Sequence, residues 1–185
     1  MNVSVWSMVQ FSQARQIAQS MGVKDPKLPE AGVAPDQHYR RLVGEGRQTD
    51  AVNFLAHALP RYEMIAWVTR TVGAIQSDST RKPQELRGMD IARRWVRDPV
   101  DEVRRQAWTM AENMEEASPE RLLLHAIFFS GGSIAPEDLP PVHAPEETSA
   151  HLGGAAIQLA AYRTPSPTAA LAKALEMGEQ LTVAG

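Results

Sequence analysis

Apolar residues along this chain recur at intervals of three and four, the repeat of an α-helix with one face turned inward. Phe11, Ala14, Ile17, Ala18 and Met21 open the series, and Gly22 follows as a natural stop. Residues 24–35 are rich in proline, glycine and charge and read as a linker. A short helix then turns Tyr39, Leu42 and Val43 inward, with Asp36 as its expected N-cap. Residues 44–47 break it, and Val52, Leu55, Ala56 and Leu59 share the stripe of a third helix.

The pattern strengthens from Pro60, a residue that suits a first helical position. Over 61–76, Ile65, Val68, Val72 and Ile75 form a stripe that Met64, Ala66 and Trp67 broaden, as in a central helix. Pro83 opens the next helix, with Leu86, Met89, Ala92, Trp95 and Val96 inward. Asp98-Pro99 reads as N-cap plus first-turn proline of a helix carrying Val103, Ala107, Met110, Ala111 and Met114. Ser118-Pro119-Glu120 repeats that start signal for a helix that runs to Phe129 and stops at Gly131-Gly132. Residues 130–147 hold Pro136, Pro140, Pro141 and Pro145 and read as an extended connection, of the kind that packs over the body or carries function. Leu152, Ala155, Ala156 and Leu159 mark a helix over 149–162, where Gly153 and Gly154 permit close approach. Ser166-Pro167 starts the last helix, with Leu171, Ala174, Leu175, Gly178 and Leu181 on one side.

No strand pattern emerges, so the fold class expected is all-α, a multi-helix bundle. Start signals near Pro60, Pro83, Pro99 and Pro119 recur roughly every twenty residues, which raises HEAT-like antiparallel helix pairs as a variant. Residues 98–107 resemble the Asp-Pro … Val-Arg-x-x-Ala core of a HEAT repeat, but a stable array needs three or more such repeats. Residues 1–47 are read as an N-terminal helical extension and linker, and 48–185 as the main helical domain.

At 185 residues, with 43% hydrophobic composition, the chain can bury a core without metals or staples. It has no cysteine, which excludes disulfides, thiolate nucleophiles and Cys-ligated zinc and fits a reducing compartment. A net charge of −3 disfavours a dedicated nucleic-acid binder. The apolar run 122–129 is interrupted by His125 and falls far short of the ~20 residues that span a bilayer. The first ten residues hold no basic n-region or apolar h-region. The cytoplasm is the expected location, with no membrane partner.

None of the five histidines (His38, His57, His125, His143, His151) sits in a His-x3-His or His-Glu-x-x-His spacing, so no metal is expected. His125, among leucines, reads as a core or boundary histidine satisfied by a backbone carbonyl. Ser130-Gly131-Gly132-Ser133 lacks the Gly-x-Ser-x-Gly of a nucleophile elbow and the Gly-Lys-Ser/Thr of a P-loop. Its glycines read as a helix stop, with a partner-binding turn as the alternative. Asp101-Glu102, Glu115-Glu116 and Glu146-Glu147 are neighbours that point about 100° apart on a helix, too divergent to flank one scissile bond. Residues 81–105 concentrate eight arginines and lysines, and Arg93, Arg97 and Arg104 are candidates for a patch facing an acidic partner or a phosphate backbone, with internal pairing as the plainer reading. Trp6, Trp67 and Trp95 are expected in the core, whereas Trp108 lies off its helix's inward axis and is expected half-exposed, as a contact hot spot.

Leu59-Pro60-Arg61, Ala66-Trp67, Trp95-Val96-x-x-Pro99, Arg104-Arg105-x-Ala107 and the run from Phe129 to Pro136 resemble an uncharacterised family of small bacterial helical proteins. Ala155 to Ala161 and Gly178 extend the resemblance, which covers 59–185 and is most specific at Phe-Ser-Gly-Gly-Ser. Members are often encoded beside type VI secretion genes. The resemblance implies an accessory or adaptor role and no catalytic residues. The expected function is a non-enzymatic protein-interaction module, as a type VI secretion accessory, adaptor or chaperone-like protein, with no cofactor. Its partner would be another protein, a secretion component or effector cargo, and homo-oligomers stay open. The candidate contacts are Arg104, Arg105, Trp108, Ser130, Gly131, Gly132 and Ser133, with the proline-rich 136–145 connection. An immunity-type inhibitor of a toxin is one alternative, and an enzyme using Ser130 and His125 another.

Overall fold

Nine α-helices form among the described residues of this computed structural model, which are 5–114 and 117–183, and none of those residues is in a strand. They are α1 (Ala14–Ser20), α2 (Pro35–Gly44), α3 (Gln48–Ala58), α4 (Arg61–Ile75), α5 (Pro83–Arg97), α6 (Asp101–Glu112), α7 (Pro119–Phe128), α8 (Thr148–Tyr162) and α9 (Pro167–Glu179), with a single 3-10 turn at Asp78–Thr80. The all-α expectation holds. The Glu115-Glu116 pair lies outside the described residues.

The broad apolar face read on α4 is central. Met64, Ile65, Trp67, Val68 and Val72 are all buried, and α5, α7, α8 and α9 pack around them. The Trp67 indole N–H donates to the Ala174 carbonyl at 2.8 Å, which seats α9 on α4. Helix α8 runs between α3, α4 and α7. A β-carbon at Gly153 would stand 2.5 Å from the Met64 sulfur, and one at Gly154 would stand 2.7 Å from Asn53 Oδ1. The two glycines therefore set how close α8 lies. Because α8 and α9 return to α3 and α4, the helices close on one core. Repeats of a solenoid contact only their neighbours, so this is a bundle and not an extended array.

The N-terminal segment joins the same core. Trp6 packs against Tyr39 with the rings tilted and their centroids 5.0 Å apart, and Ala14 and Ile17 are fully buried. Met8 N–H donates to Thr182 O at 3.0 Å, tying the two ends of the described chain together. Among the described residues no helix is long and apolar enough to cross a membrane.

Three start signals shift by a residue or more. Asp98 closes α5, its N–H donating to Arg94 O, and α6 begins at Asp101 after Val100. Asp98-Pro99 is thus the hinge between two helices and not the cap of the second. Pro60 is the residue before α4, and Asp36 lies inside the first turn of α2 behind Pro35. Ser118 does cap α7, its hydroxyl accepting from Arg121 N–H at 3.1 Å with Pro119 in the first turn.

The core also contains an ion pair. Glu120 in the first turn of α7 has no exposed surface, and its Oε1 receives the Arg81 Nε–H at 2.8 Å. Arg81 donates further to Val72 O, Gln76 O and Asp78, so one guanidinium closes the C-terminal end of α4 and docks α7 against it. Glu120 Oε2 finds no partner among the described residues.

Candidate functional site

Helix α6 places Arg104 on the same stripe as Ala107 and Ala111, so its side chain turns inward at 4% exposure. Its guanidinium donates to Asp101, to Phe128 O at 2.7 Å and to Ser133 O at 2.8 Å, and it lies over the Phe128 ring. Arg104 therefore clamps the 130–133 turn to α6 and offers no free cation to a partner. Arg105, partly exposed, bonds Asp101, and it also donates to Ala135 O at 3.1 Å. Burial raises the Asp101 carboxyl, but the hydrogen bonds from Arg104 and Arg105 outweigh it and hold the group below its ordinary value.

The turn is built on its own polar groups. Ser133 Oγ accepts from Ala135 N–H and Val142 N–H, both at 3.1 Å, and Ile134 N–H donates to Val142 O. Gly132 has φ +68°, and a β-carbon there would stand 3.0 Å from the Arg104 guanidinium. Helix α7 is closed by Phe129, whose φ is ordinary. The glycines are thus not the helix stop that the sequence suggested, but the place where the loop passes the clamp. With its backbone held this way, the connection keeps Leu139 and Val142 exposed at 55% and 52%.

Beside the turn lies an aromatic ledge. Trp108, half-buried as expected, meets Phe128 at 4.7 Å, His125 at 5.4 Å and Phe129 at 6.0 Å between ring centroids. His125 Nε2 lies 3.2 Å from Glu112 Oε1, so its partner is a carboxylate and not the backbone carbonyl anticipated. Ser130 donates its hydroxyl to Ile127 O at 2.7 Å. Ser130 and His125 thus bond different partners and not each other. Of the candidate arginine patch, Arg104 is inside and Arg93 is paired with Asp78 and Asp90, the internal pairing that is the plainer reading.

A second place was not read from the sequence. Between the N-terminal segment and α3, α4 and α8 lies a cleft of about 550 Å³, with Phe11, Leu59 and Met64 on its apolar side and His57, Arg61 and Glu147 on its polar side. Ser20 gives its hydroxyl proton to Ile17 O at 2.8 Å and so accepts from His57 Nδ1 at 3.2 Å. The His151 ring stands edge-on to His57 at 4.4 Å. These histidines lie on different helices, and no spacing in the sequence joins them. Among the described residues no group of three metal-ligating side chains gathers, here or elsewhere.

Burial first, and then the neighbouring His151, lower the His57 pKa from 6.5 to about 4. The unfolded chain therefore takes up this proton before the folded one does. The stability from holding His57 neutral is complete above pH 6.5 and is lost as pH falls toward 4. His38, lowered by burial and then by Arg41 and Arg47, adds in the same direction. Urea denaturation should show a loss of roughly 2 kcal/mol across that window in the native chain. His57→Gln should flatten the profile, and an unchanged slope would contradict the assignment.

Fold and site together define an all-α bundle bearing a clamped loop and an aromatic ledge on one face. The chain belongs to a family of unknown function (DUF6931), whose sequence model matches residues 38–182. That match leaves the segment carrying Trp6 and α1 outside it. No curated protein and no solved structure matches the chain.

Proposed function

We propose that this protein is a non-enzymatic interaction module whose contact face is the α6–α7 ledge together with the 130–147 connection. One observation carries the reading: the connection whose start is clamped by buried Arg104 presents Leu139 and Val142 to solvent, and the same clamp sits on Phe128 next to half-buried Trp108 and Phe129. Exposed apolar side chains on a preorganised loop bind with little ordering cost, and aromatic groups beside a rigid turn are typical contact anchors. Trp108 and Phe129 supply the area, Arg105 and the Ser130–Ser133 turn the polar rim. Arg104 contributes by position alone.

The partner we infer is another protein, a type VI secretion component or its cargo, on the strength of the family resemblance described above. In affinity purification from the native cell, the tagged chain should retain a stoichiometric partner. Trp108→Ala should reduce that recovery at least tenfold with an unchanged circular dichroism spectrum. A partner retained equally by Trp108→Ala and by Leu139→Asp would overturn the assignment of this face. Rescue of growth when the chain is co-expressed with a toxic neighbouring gene would favour the toxin-inhibitor alternative instead.

A further inference from the structure

We infer a second docking surface, a groove between α4 and α5 built to take an acidic amphipathic helix from a partner protein. The groove encloses about 640 Å³, and its walls are single stripes of two helices. Ala66, Arg70 and Gly73 come from α4; Arg93, Val96 and Arg97 come from α5. Leu181, just past α9, closes one side.

Its charge runs against the rest of the molecule. Among the described residues three arginines and no carboxylate line the groove, in a chain whose net charge is −3. Arg97 is exposed, with no ion pair or hydrogen bond from its side chain among the described residues, while Arg70 donates to Met177 O at 3.1 Å. Arg93 lines the groove but is already paired with Asp78 and Asp90, so the cations left for an occupant are Arg97 and Arg70. An occupant with carboxylates beside apolar residues matches this lining of arginines interleaved with Ala66, Val96 and Leu181.

Gly73 is the second observation. It sits within α4, where glycine weakens a helix relative to alanine. A β-carbon there would meet only ordinary contacts, Met89 Cε at 3.7 Å and Arg93 Nη2 at 4.0 Å. Packing beneath it therefore does not demand a glycine. What glycine does at this position is keep the groove floor open. On the same wall the Thr69 hydroxyl has no hydrogen-bond partner among the described residues.

The test is selection of a random helix-biased 16-residue peptide library on the full chain, followed by fluorescence anisotropy of the enriched peptides. Enriched sequences should alternate Glu or Asp with Leu or Ile at helical spacing. Arg97→Glu and Gly73→Leu should each weaken their binding at least tenfold. Trp108→Ala should leave it unchanged, which separates this groove from the α6–α7 face. Arg97 is exposed, so its variant tests the groove without threatening the fold. Peptides without acidic bias, binding that survives both groove variants, or a failure to enrich would each overturn the proposal. So would salt-sensitive binding of single-stranded DNA in the groove with no acidic peptide selected.

Discussion

Replacing Glu120 with alanine should lower stability by about 3–5 kcal/mol, among the largest effects available in this chain. The cost arises less from the lost attraction than from what remains. Arg81, its side chain 1% exposed, would keep its charge in the interior with its Nε–H facing a vacated site and half-exposed Asp78 as its remaining counter-charge. Arg81→Ala is expected to be comparably damaging, because it strands a fully buried carboxylate and also removes the donors to Val72 O and Gln76 O. Exchanging both partners at once, Arg81→Met with Glu120→Leu, should recover a large part of the loss, since an apolar pair needs no desolvation of charge. Urea unfolding followed by helical circular dichroism checks all three. Single substitutions costing less than ~1 kcal/mol would mean that the pair is hydrated and not buried.

Arg104→Lys should cost about 2–4 kcal/mol, despite keeping the charge. A lysine ammonium cannot lie over Phe128 and reach Asp101, Phe128 O and Ser133 O at once, as the planar guanidinium does. The local consequence is more telling than the global one. With Ser133 O released, the amides of Ala135 and Val142 that bond Ser133 Oγ should exchange with solvent many times faster. Protection within α4 should fall only in proportion to global stability. Equal loss of protection everywhere would mean that Arg104 supports the core and not the loop.

The bundle was legible because each helix carries its own apolar period. Trp67 and Trp95 fall in the core as their spacing implied, Trp6 as a tryptophan by default, and Gly153-Gly154 marks a close helix approach. Helix starts were less legible at Asp98-Pro99, where the last turn of α5 captures the aspartate before α6 can use it. The buried charges were the hardest to read. Glu120 has the look of an ordinary first-turn acid, and only the fold brings Arg81 to it across 39 positions. Arg104 did carry a signal, its i, i+3, i+7 relation to buried Ala107 and Ala111, which its charge concealed. The cleft at His57 had none, because Ser20, His57 and His151 meet only through the packing of α1, α3 and α8.

The contact face is tested most directly by light-activated cross-linking in the native cell, with p-benzoylphenylalanine in place of Phe129. A matched probe at Tyr162, exposed on α8, serves as the comparison. One dominant protein captured from position 129 and absent from position 162 is the expected result. Identical cross-link patterns from the two positions, or none from 129, would contradict a partner seated on the ledge of α6 and α7.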